Sequence, residues 1–403
     1  MMQPVGQPEL LKEINRLRAF EVLKTERVVS RPGLAERTGL SRATASVLAD
    51  ELLAAGLVEE VGLGASTGGR PPMLLQFNPA AAYALGARMS DHVWSLVVTD
   101  LDAQVVRRSE VYIPGESPEA AVDALAAGIA SLVDGLGPGR LLPAIGLGTP
   151  GLVDVRSGII ETAVDVHWYK VPIRQMAEEA TGLQALVANR SKVGALAELW
   201  YGAEEGISDL IYISIGTGVA AGIVHNGELL LGTNSSAGEL GHVTILPDGP
   251  RCPCGNRGCL QQLVSGPAIA DVARARLRED PTSLLQELCG RYPERISAEM
   301  VFRAAEQDDP LAQNLVSDVA SYLGIAVANL INLFNPQRII LGGPIGRVGH
   351  VLLDPLRDQV RRRAMAYPRS AVEITTNDLG PDTAAIGAAV LVLQHASELF
   401  SAM

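Results

Sequence analysis

The chain has 403 residues, of which 47% are hydrophobic, and this length allows two or three domains with a large buried core. No charged-then-apolar leader opens it and no uninterrupted apolar run reaches membrane-spanning length, so we expect neither secretion nor a transmembrane helix. We therefore predict a cytoplasmic protein whose four cysteines are kept reduced and available to a metal ion.

The net charge of −12 is distributed unevenly along the chain. Residues 1–78 contain nine basic and nine acidic side chains, whereas the remaining 325 residues contain 24 basic and 36 acidic ones. An acidic body is repelled by nucleic acid, but a neutral segment with clustered arginines is not. This asymmetry predicts a separate module at the N-terminus.

Three helices are predicted in that segment. The first covers residues 9–23, the second covers 32–38 and ends at Gly39, and the third covers 42–55 with Ser41 as its N-cap. Two helices joined by a tight turn, the second opening with small and basic side chains, are typical of a helix-turn-helix that enters the major groove. A helical hairpin used for dimerisation is the alternative.

The third predicted helix has a polar N-terminal end and an apolar side. Val47, Leu48 and Leu52 space out as its inward face, which Thr44 or Ala45 completes one turn earlier. The residues expected to contact DNA are the N-cap and the first turns of this helix, namely Ser41, Arg42, Ala43, Thr44 and Ser46.

Two predicted strands, at residues 57–61 and 73–77, flank a glycine-rich loop and form a wing. Gly69-Arg70-Pro71 in this loop resembles an AT-hook tripeptide, whose extended arginine enters a narrow minor groove. We predict that the first 80 residues bind a double-stranded DNA operator, with Arg70 in the minor groove. An ordinary flexible loop is the alternative for the wing.

From Ala84 onward, short β-rich runs alternate with alanine-rich helices, which predicts an α/β fold. The strand candidates are residues 93–99, 144–147, 185–187, 210–215, 221–224 and 339–341. Glycine-rich turns follow three of these strands, at residues 148–151, 216–218 and 342–344. Such turns expose backbone N–H groups that can hold sugars or phosphates, although a single turn more often only satisfies chain geometry.

Three of the four cysteines lie within eight residues. They are Cys252, Cys254 and Cys259, and His242 lies ten positions before the first of them. The intervening glycines can bend the chain so that the three sulfurs and the imidazole converge, and a closed Cys3His set suits one structural Zn²⁺ per chain. A disulfide, or a turn whose reduced thiols happen to be close, is the alternative, while Cys289 is expected to be a small core residue.

Sequence motifs spread over nearly the whole chain resemble those of one protein family. Besides the cysteine run and the Ser-Thr-Gly-Gly-Arg-Pro-Pro wing, they are Gly-Thr-Pro-Gly-Leu-Val-Asp at 148–154, Trp-Tyr-Lys-Val-Pro at 168–172, Ile-Gly-Thr-Gly at 215–218, Ala-Gly-Glu-Leu-Gly-His at 237–242, Asn-Leu-Phe-Asn-Pro at 332–336 and Leu-Gly-Gly at 341–343. With them the chain resembles the ROK family of repressors and sugar kinases, on the branch that carries an N-terminal winged helix.

This resemblance implies an actin-like, two-lobed sugar-kinase-type fold behind the winged helix-turn-helix, with a sugar in the cleft between the lobes. It divides the chain into a DNA-binding domain at 1–80, a first lobe at 81–195 plus 384–403, and a second lobe with the zinc site at 196–383. The C-terminal helix, about residues 383–400, is expected to return to the first lobe.

The resemblance also implies that two parts of the kinase machinery are missing. Family kinases carry an Asn-Asp pair whose aspartate takes the proton from the sugar hydroxyl; here the pair reads Asn189-Arg190, and a guanidinium cannot act as a base. The phosphate loop Gly-x-Asp-x-Gly-Gly-Thr corresponds to residues 86–92, where Arg88 replaces the aspartate and both later glycines are lost. We therefore expect no kinase activity and assign no catalytic residue.

The implied sugar pocket is only partly altered. Asn189 and Glu239 would bond to sugar hydroxyls, and His242 would join the zinc to the sugar site. Gln261 stands where the family usually has a second sugar-binding glutamate, and it carries no charge.

Arg190 decides the charge of this pocket. If it points into the cleft, with Lys192 two residues later, the pocket favours an anionic effector such as a sugar phosphate or sugar acid. If it instead pairs with Glu198 or Glu239, it merely neutralises that carboxylate.

Together these features predict a sugar-responsive DNA-binding transcription regulator, a repressor of carbohydrate metabolism genes, which binds a palindromic operator as a homodimer or a dimer of dimers. A sugar kinase with a fused DNA-binding head is the first alternative. A protein-binding regulator with a vestigial cleft is the second.

Overall fold

The computed structural model describes residues 7–65, 71–90, 92–137, 140–202, 206–346 and 348–396. Its N-terminal module contains, in chain order, α1 Gln7–Glu26, β1 Val28–Ser30, α2 Arg31–Thr38, α3 Arg42–Ala54, β2 Val58–Leu63 and β3 Met73–Phe77. The strands form an antiparallel sheet of order β1-β3-β2. This is the order of elements that a winged helix-turn-helix requires, and the helices and strands lie within a few residues of their predicted positions.

The turn between α2 and α3 is fixed by defined caps. The Ser30 hydroxyl accepts a hydrogen bond from the Gly33 N–H at 3.1 Å, and the Ser41 hydroxyl accepts one from the Thr44 N–H at 3.1 Å. Gly39 ends α2 with a φ of +69°, the left-handed conformation that glycine adopts without a steric penalty. The predicted N-cap at Ser41 and helix end at Gly39 are confirmed.

The inward face of α3 differs from the prediction at one residue. Ala45, Leu48 and Leu52 are buried, but Val47 is 56% exposed and points away from the core. At about 100° per residue, Val47 lies some 200° round the helix from Ala45, so it cannot share that face. The placement of Val47 in the core is therefore wrong, because small alanines rather than the valine form the packing stripe.

The first lobe is built on a five-stranded sheet. Its elements are β4 Ala82–Ser90, β5 Val93–Thr99, β6 Val105–Tyr112, α4 Pro118–Val133, β7 Arg140–Thr149, β8 Leu152–Asp154, β9 Ile159–Ala163, β10 Trp168–Val171, α5 Ile173–Thr181, β11 Gln184–Asn189 and α6 Arg190–Gly202. The sheet has the order β11-β7-β4-β5-β6; β11, β7, β4 and β6 run in one direction, and β5 runs antiparallel to its neighbours β4 and β6. A small antiparallel sheet of order β10-β9-β8 lies beside it.

The second lobe repeats a five-stranded plan with more helices. Its elements are β12 Leu210–Ile215, β13 Val219–His225, β14 Glu228–Leu229, α7 Gln261–Val264, α8 Gly266–Glu279, α9 Leu285–Leu288, α10 Ala298–Glu306, α11 Pro310–Phe334, β15 Arg338–Gly342, α12 Gly343–Gly346, α13 His350–Arg363, α14 Ala366–Ser370 and β16 Glu373–Thr376. The sheet has the order β14-β13-β12-β15-β16. The predicted α/β fold with two lobes is confirmed.

Helix α11 is long and apolar enough to cross a membrane by length and composition, and it is the one such helix among the described residues. It is also the central helix of the second lobe, where Leu323 and Ile331 are fully buried. Its hydrophobicity is thereby explained by core packing.

The last described helix, α15 Thr383–Gln394, returns to the first lobe as predicted. It packs on α6, β4 and β7, and glycines make the approach possible. A side chain at Gly86 or Gly146 would collide with the α15 backbone, and one at Gly387 would collide with the carbonyl of Val193 in α6. The division of the chain into domains stays a prediction; α6 runs unbroken through residue 196, the predicted start of the second lobe.

The N-terminal module shares one hydrophobic core with the first lobe. Phe20 and Leu23 of α1 belong to the same buried cluster as Leu101, Leu196 and Leu393, and each is at most 5% exposed. The module is therefore packed against the first lobe, so a movement of either one can displace the other.

Candidate functional site

A cavity of about 710 Å³ lies between the two large sheets. The three predicted glycine-rich turns meet here, since Gly151 follows β7, Gly216 follows β12 and Gly343 follows β15, and all three line the cavity. Ligands of α/β proteins bind at such strand ends, where loops converge and backbone N–H groups are exposed. The volume is in the range of small-molecule sites.

Asn189 lies at the junction of β11 and α6, where it holds the cavity wall together. Its amide nitrogen donates to the Gly151 carbonyl at 2.7 Å, and its amide oxygen accepts hydrogen bonds from the N–H and the hydroxyl of Ser191. The side chain thus joins the turn after β7 to the first turn of α6. The Asn189 amide is therefore oriented before a ligand binds in the cavity.

Arg190 points into the cavity, as one of the two predicted arrangements requires. It is also paired with a carboxylate, as in the alternative arrangement, but the partner is Asp165 rather than Glu198 or Glu239; a guanidinium nitrogen lies 3.3 Å from a carboxylate oxygen of Asp165. A methyl group added at Gly218 would lie 3.8 Å from the same guanidinium, so the side chain reaches across the cleft to the second lobe. The sequence carries no signal for this partner, because Asp165 lies 25 residues away.

Glu239 lines the cavity, and the buried Lys192 lies near it. Burial raises the pKa of Glu239, and the nearby Lys192 and His242 oppose that rise. Burial likewise lowers the pKa of Lys192, which is 3% exposed, and the charge of Glu239 opposes that fall. The two groups stabilise each other's charged form, so the carboxylate that the resemblance assigns to a sugar hydroxyl has a lysine behind it.

Gln261, also assigned to the pocket, lines the cavity at the start of α7. Its amide oxygen accepts a hydrogen bond from the N–H of Val219 at 3.3 Å. This contact fixes the side chain against the turn after β12, beside Gly218 and close to Arg190. Of the five side chains predicted to contact a ligand, all line the cavity.

The four predicted metal ligands converge next to this cavity. The donor atoms of His242, Cys252, Cys254 and Cys259 all lie within 4.8 Å of one another. The Cys254 and Cys259 sulfurs are 3.7 Å apart, and the Cys252 sulfur is 3.6 Å from Nδ1 of His242. Two ligands about 2.3 Å from one tetrahedral ion lie about 3.8 Å apart, so the donor set and its spacing fit a tetrahedral metal site.

The cysteine loop is bent by two glycines in left-handed conformations, Gly255 at φ +95° and Gly258 at φ +64°. Cys289, by contrast, is buried at the end of α9 and lies outside the cluster, as predicted. His242 and Cys254 belong both to the cluster and to the lining of the cavity. A metal ion here would therefore support the wall of the ligand site directly.

Arg88, predicted from the resemblance to stand in place of a phosphate-loop aspartate, lies in strand β4. Arg88 lines the cavity and donates to the Ser95 hydroxyl of β5 at 3.2 Å. Arg88 is thus a cation in the wall of the cavity.

Five of the six predicted DNA-contacting residues lie at the N-terminal end of α3 or cap it. Arg42 and Ala43 are exposed at the start of α3, and Ser41 caps the helix. Ser46 accepts hydrogen bonds from Arg31 through both its hydroxyl and its carbonyl. Arg70 lies outside the described residues, and the minor-groove assignment stays a prediction.

Sequence reasoning missed the contacts between the module and the first lobe. Arg27 bonds both carboxylate oxygens of Asp102, and Lys24 lies over the ring of Trp200. No periodic pattern could reveal these pairs, because their partners lie far apart in the sequence.

Comparison with known proteins places the chain among relatives of similar architecture. A model of the ROK family matches residues 85–395. A "Putative xylose repressor" of Caldicellulosiruptor sp. is 31% identical over 96% of this chain and 98% of its own length, and a "Glucokinase" of Halalkalibacterium halodurans is 37% identical over 63% of this chain and 77% of its own. A crystal structure of a ROK family transcriptional regulator, a homolog of the E. coli MLC protein, superposes with a TM-score of 0.82 at 28% identity, covering 97% of this chain and 98% of that one.

Proposed function

We propose that this chain, which belongs to the ROK family, is a sugar-responsive transcription regulator that represses genes of carbohydrate metabolism. The observation that carries this proposal is the extent of the similarity. Likeness to repressors and to a regulator structure runs through the N-terminal module, whereas likeness to the glucokinase covers about two thirds of the chain. A kinase needs no such module, and a regulator does.

The N-terminal module is proposed to be a winged helix-turn-helix that binds an operator. Exposed Arg42 and Ala43 at the start of α3 support insertion of that end into the major groove, and Arg70 in the wing is proposed to enter the minor groove. The protein would act in the cytoplasm as a homodimer or a dimer of dimers, because a palindromic operator calls for two related modules.

The cleft is proposed to bind an effector without phosphorylating it. Arg190 occupies the position of the family's catalytic aspartate and is ion-paired with Asp165, and it cannot remove a proton from a hydroxyl. By the resemblance, Arg88 stands at the position of the phosphate-loop aspartate. A sugar kinase with a fused DNA-binding head, the rival function, would need both aspartates.

The effector is proposed to be a sugar or sugar derivative with a negative charge. Arg190 lines the cleft, the buried Lys192 offsets the charge of Glu239, and Gln261 replaces a carboxylate with a neutral amide. A guanidinium offers a planar pair of donors that matches a phosphate or a carboxylate. Such an anion would compete with Asp165 for Arg190.

The metal site is proposed to hold one structural Zn²⁺ per chain. Four protein donors leave no open position for water or substrate, which distinguishes a structural zinc from a catalytic one. The Nδ1 atom of His242 faces Cys252, which leaves the opposite edge of the ring for the cavity. When bound, the ion would fix the loop that carries His242 and support Glu239 next to it.

Helix α6 is the proposed route by which the effector changes DNA binding. It begins at Arg190 in the cleft and ends, about 20 Å away, at the contact with the module. There Tyr201 donates to the Ala103 carbonyl at 2.8 Å and Trp200 donates to the Asp102 carbonyl at 3.2 Å. Asp102 in turn is paired with Arg27 of the N-terminal module. If the lobes close on an effector and thereby shift α6, the N-terminal module would be re-oriented.

Selection of DNA by the purified full-length protein tests the proposed function. We expect recovery of a palindromic sequence from a genomic or randomised library, and a loss of its binding by one of a panel of sugars, sugar phosphates and sugar acids. A coupled ATPase assay with the same panel should give no turnover. Phosphorylation of a hexose at an enzymatic rate would instead favour the kinase with a fused head, and failure to select any DNA would exclude the regulator.

A further inference from the structure

The exposed face of α3 carries a large apolar side chain at its centre. Ala43, Val47 and Asp50 are all exposed and follow one another at spacings of four and three residues, so they lie on one side of the helix. Val47, at 56% exposure, is the large apolar side chain of this stripe. A β-branched residue is a poor choice for an exposed helix position on conformational grounds alone.

The polar side chains around Val47 are already engaged within the module. One guanidinium nitrogen of Arg31 donates to the carbonyl and the hydroxyl of Ser46, at 3.2 Å and 3.1 Å. The other lies 2.7 Å from a carboxylate oxygen of Asp50 and 3.6 Å from one of Glu60. Arg31 therefore offsets the negative charge of Asp50, which would otherwise repel a phosphate backbone, and holds Ser46 in place beside the valine.

Apolar side chains in a major groove have one distinctive target, the C5-methyl group of thymine. Val47 is suited to that contact because its χ1 angle is nearly fixed in a helix, so its two methyl groups are positioned before DNA arrives. Ala43, one turn earlier, adds a third methyl group on the same side.

We propose that Val47 reads the 5-methyl group of one thymine in each half-site of the operator, and so determines specificity at that base pair. The inference rests on the proposed role of α3 as the DNA-reading helix. It assigns sequence discrimination to a residue that its apolar character would have placed in the core.

The test replaces thymine by uracil, which removes the 5-methyl group and leaves the hydrogen-bonding edge unchanged. The probe is the duplex that the wild-type full-length protein selects from a randomised library, with each thymine replaced in turn in both half-sites. Burying one methyl group is worth about 0.8 kcal/mol, or about fourfold in affinity. We therefore expect one symmetric pair of replacements to weaken wild-type binding by about fifteenfold.

The Val47→Ala variant should bind the thymine duplex less tightly and lose its sensitivity to that one replacement, while the effects of the other replacements persist. Val47→Ile, which keeps the branched apolar group, should retain the sensitivity. Val272→Ala is the matched control, since Val272 is also an exposed helical valine but lies on α8 of the second lobe. Alanine at an exposed helical position does not weaken the helix, so loss of folding is not expected.

The outcomes separate this inference from the proposed function. If the wild-type protein selects no sequence, the DNA-binding function itself fails. If it selects an operator but shows the same ratio of thymine to uracil binding in Val47→Ala as in wild type at every position, the protein is a DNA-binding regulator and the assignment of Val47 is wrong.

Discussion

The ammonium nitrogen of Lys24 lies 3.5 Å from the centroid of the Trp200 ring, so the first helix of the N-terminal module rests on the last turn of α6. A cation over the face of an indole is an attractive contact, and it gains strength as the pair is desolvated. Burial lowers the pKa of the Lys24 ammonium group, although the negative charges of Glu21 and Asp102 oppose that fall. The contact ties the DNA-reading head to a helix that starts in the ligand cleft.

Weakening the contacts between the N-terminal module and the first lobe should uncouple effector binding from operator binding. We expect Asp102→Asn, which removes the charge that holds Arg27, to leave operator affinity without effector and effector affinity without DNA nearly unchanged, since this partly exposed pair is worth at most about 1 kcal/mol. The ratio of operator affinities with and without effector should fall several-fold. Titrations of labelled operator at zero and saturating effector measure that ratio.

Asp318→Asn provides the control for this experiment. Asp318 pairs with Arg276 at 2.5 Å in the second lobe, away from α6, and is likewise part of a partly exposed arginine–aspartate pair. A ratio that falls equally in both variants, or in neither, would contradict a coupling route through the Lys24–Trp200 and Arg27–Asp102 contacts.

Glu198, in the middle of α6, should make stability depend on pH near neutrality. Burial raises the pKa of Glu198 from 4.5 to about 7, although a hydrogen bond from Asn377 opposes the rise. Between these two pKa values the folded chain binds a proton that the unfolded chain does not, so stability falls as the pH rises from about 5 to 7 and levels off above. We expect Glu198→Gln to stabilise the protein by about 1 to 3 kcal/mol at pH 8 and to change little at pH 4.5.

Denaturation by urea at pH 5, 6, 7 and 8 measures this difference. Glu119→Gln, at an exposed position of α4, should follow the wild-type curve at every pH. A constant difference between Glu198→Gln and wild type across the range would mean that the carboxylate does not titrate there.

Removal of the metal should loosen the ligand site. Native protein purified without chelator should contain one zinc per chain, and Cys254→Ser should weaken metal binding by more than the 10- to 100-fold typical of an outer-shell change. Because His242 and Cys254 line the cavity, effector affinity should fall together with the metal content. Elemental analysis and calorimetry measure the two; Cys289→Ala, outside the cluster, should keep the metal.

DNA affinity should depend on Arg42 and Arg70. Loss of an arginine that reads a base costs about 1 to 3 kcal/mol and relaxes specificity at that position, whereas loss of a phosphate contact weakens all sequences alike. We expect Arg42→Ala and Arg70→Ala each to weaken operator binding at physiological salt, and Arg278→Ala on α8 to leave it unchanged. An unchanged affinity in Arg70→Ala would show that the wing does not enter the minor groove.

Local signals in the sequence predicted more than contacts across the fold. Ser41 and Gly39 set the ends of the two helices, and the dense cysteine run predicted the metal cluster, because cap geometry and ligand spacing act over a few residues. The partner of Arg190 was not predictable, since the direction of a long side chain depends on a turn 25 residues away. Val47 was misplaced because hydrophobicity alone does not distinguish a core residue from an apolar contact for a partner.

The charge preference of the cleft provides the last prediction. Arg190 lies inside the cavity with Asp165 as its partner, and the 3.3 Å separation leaves an ion pair that a better-matched anion can replace. A phosphate or carboxylate on the ligand can accept two parallel hydrogen bonds from the guanidinium. Asp165 accepts a hydrogen bond from Arg190 through one oxygen. We therefore expect a sugar phosphate or sugar acid to bind at least about tenfold more tightly than the corresponding free sugar, a difference of about 1.4 kcal/mol.

Calorimetry with matched pairs of ligands decides the question, and two variants locate the cause. Arg190→Ala should abolish the preference for the anion, because the paired donors are lost. Asp165→Asn should strengthen it, because the guanidinium then has no competing carboxylate at that position. If instead the free sugar binds better than its phosphate or acid in the wild type, and Arg190→Ala leaves the affinity for the anion unchanged, Arg190 serves only to neutralise Asp165 and the effector is an uncharged sugar.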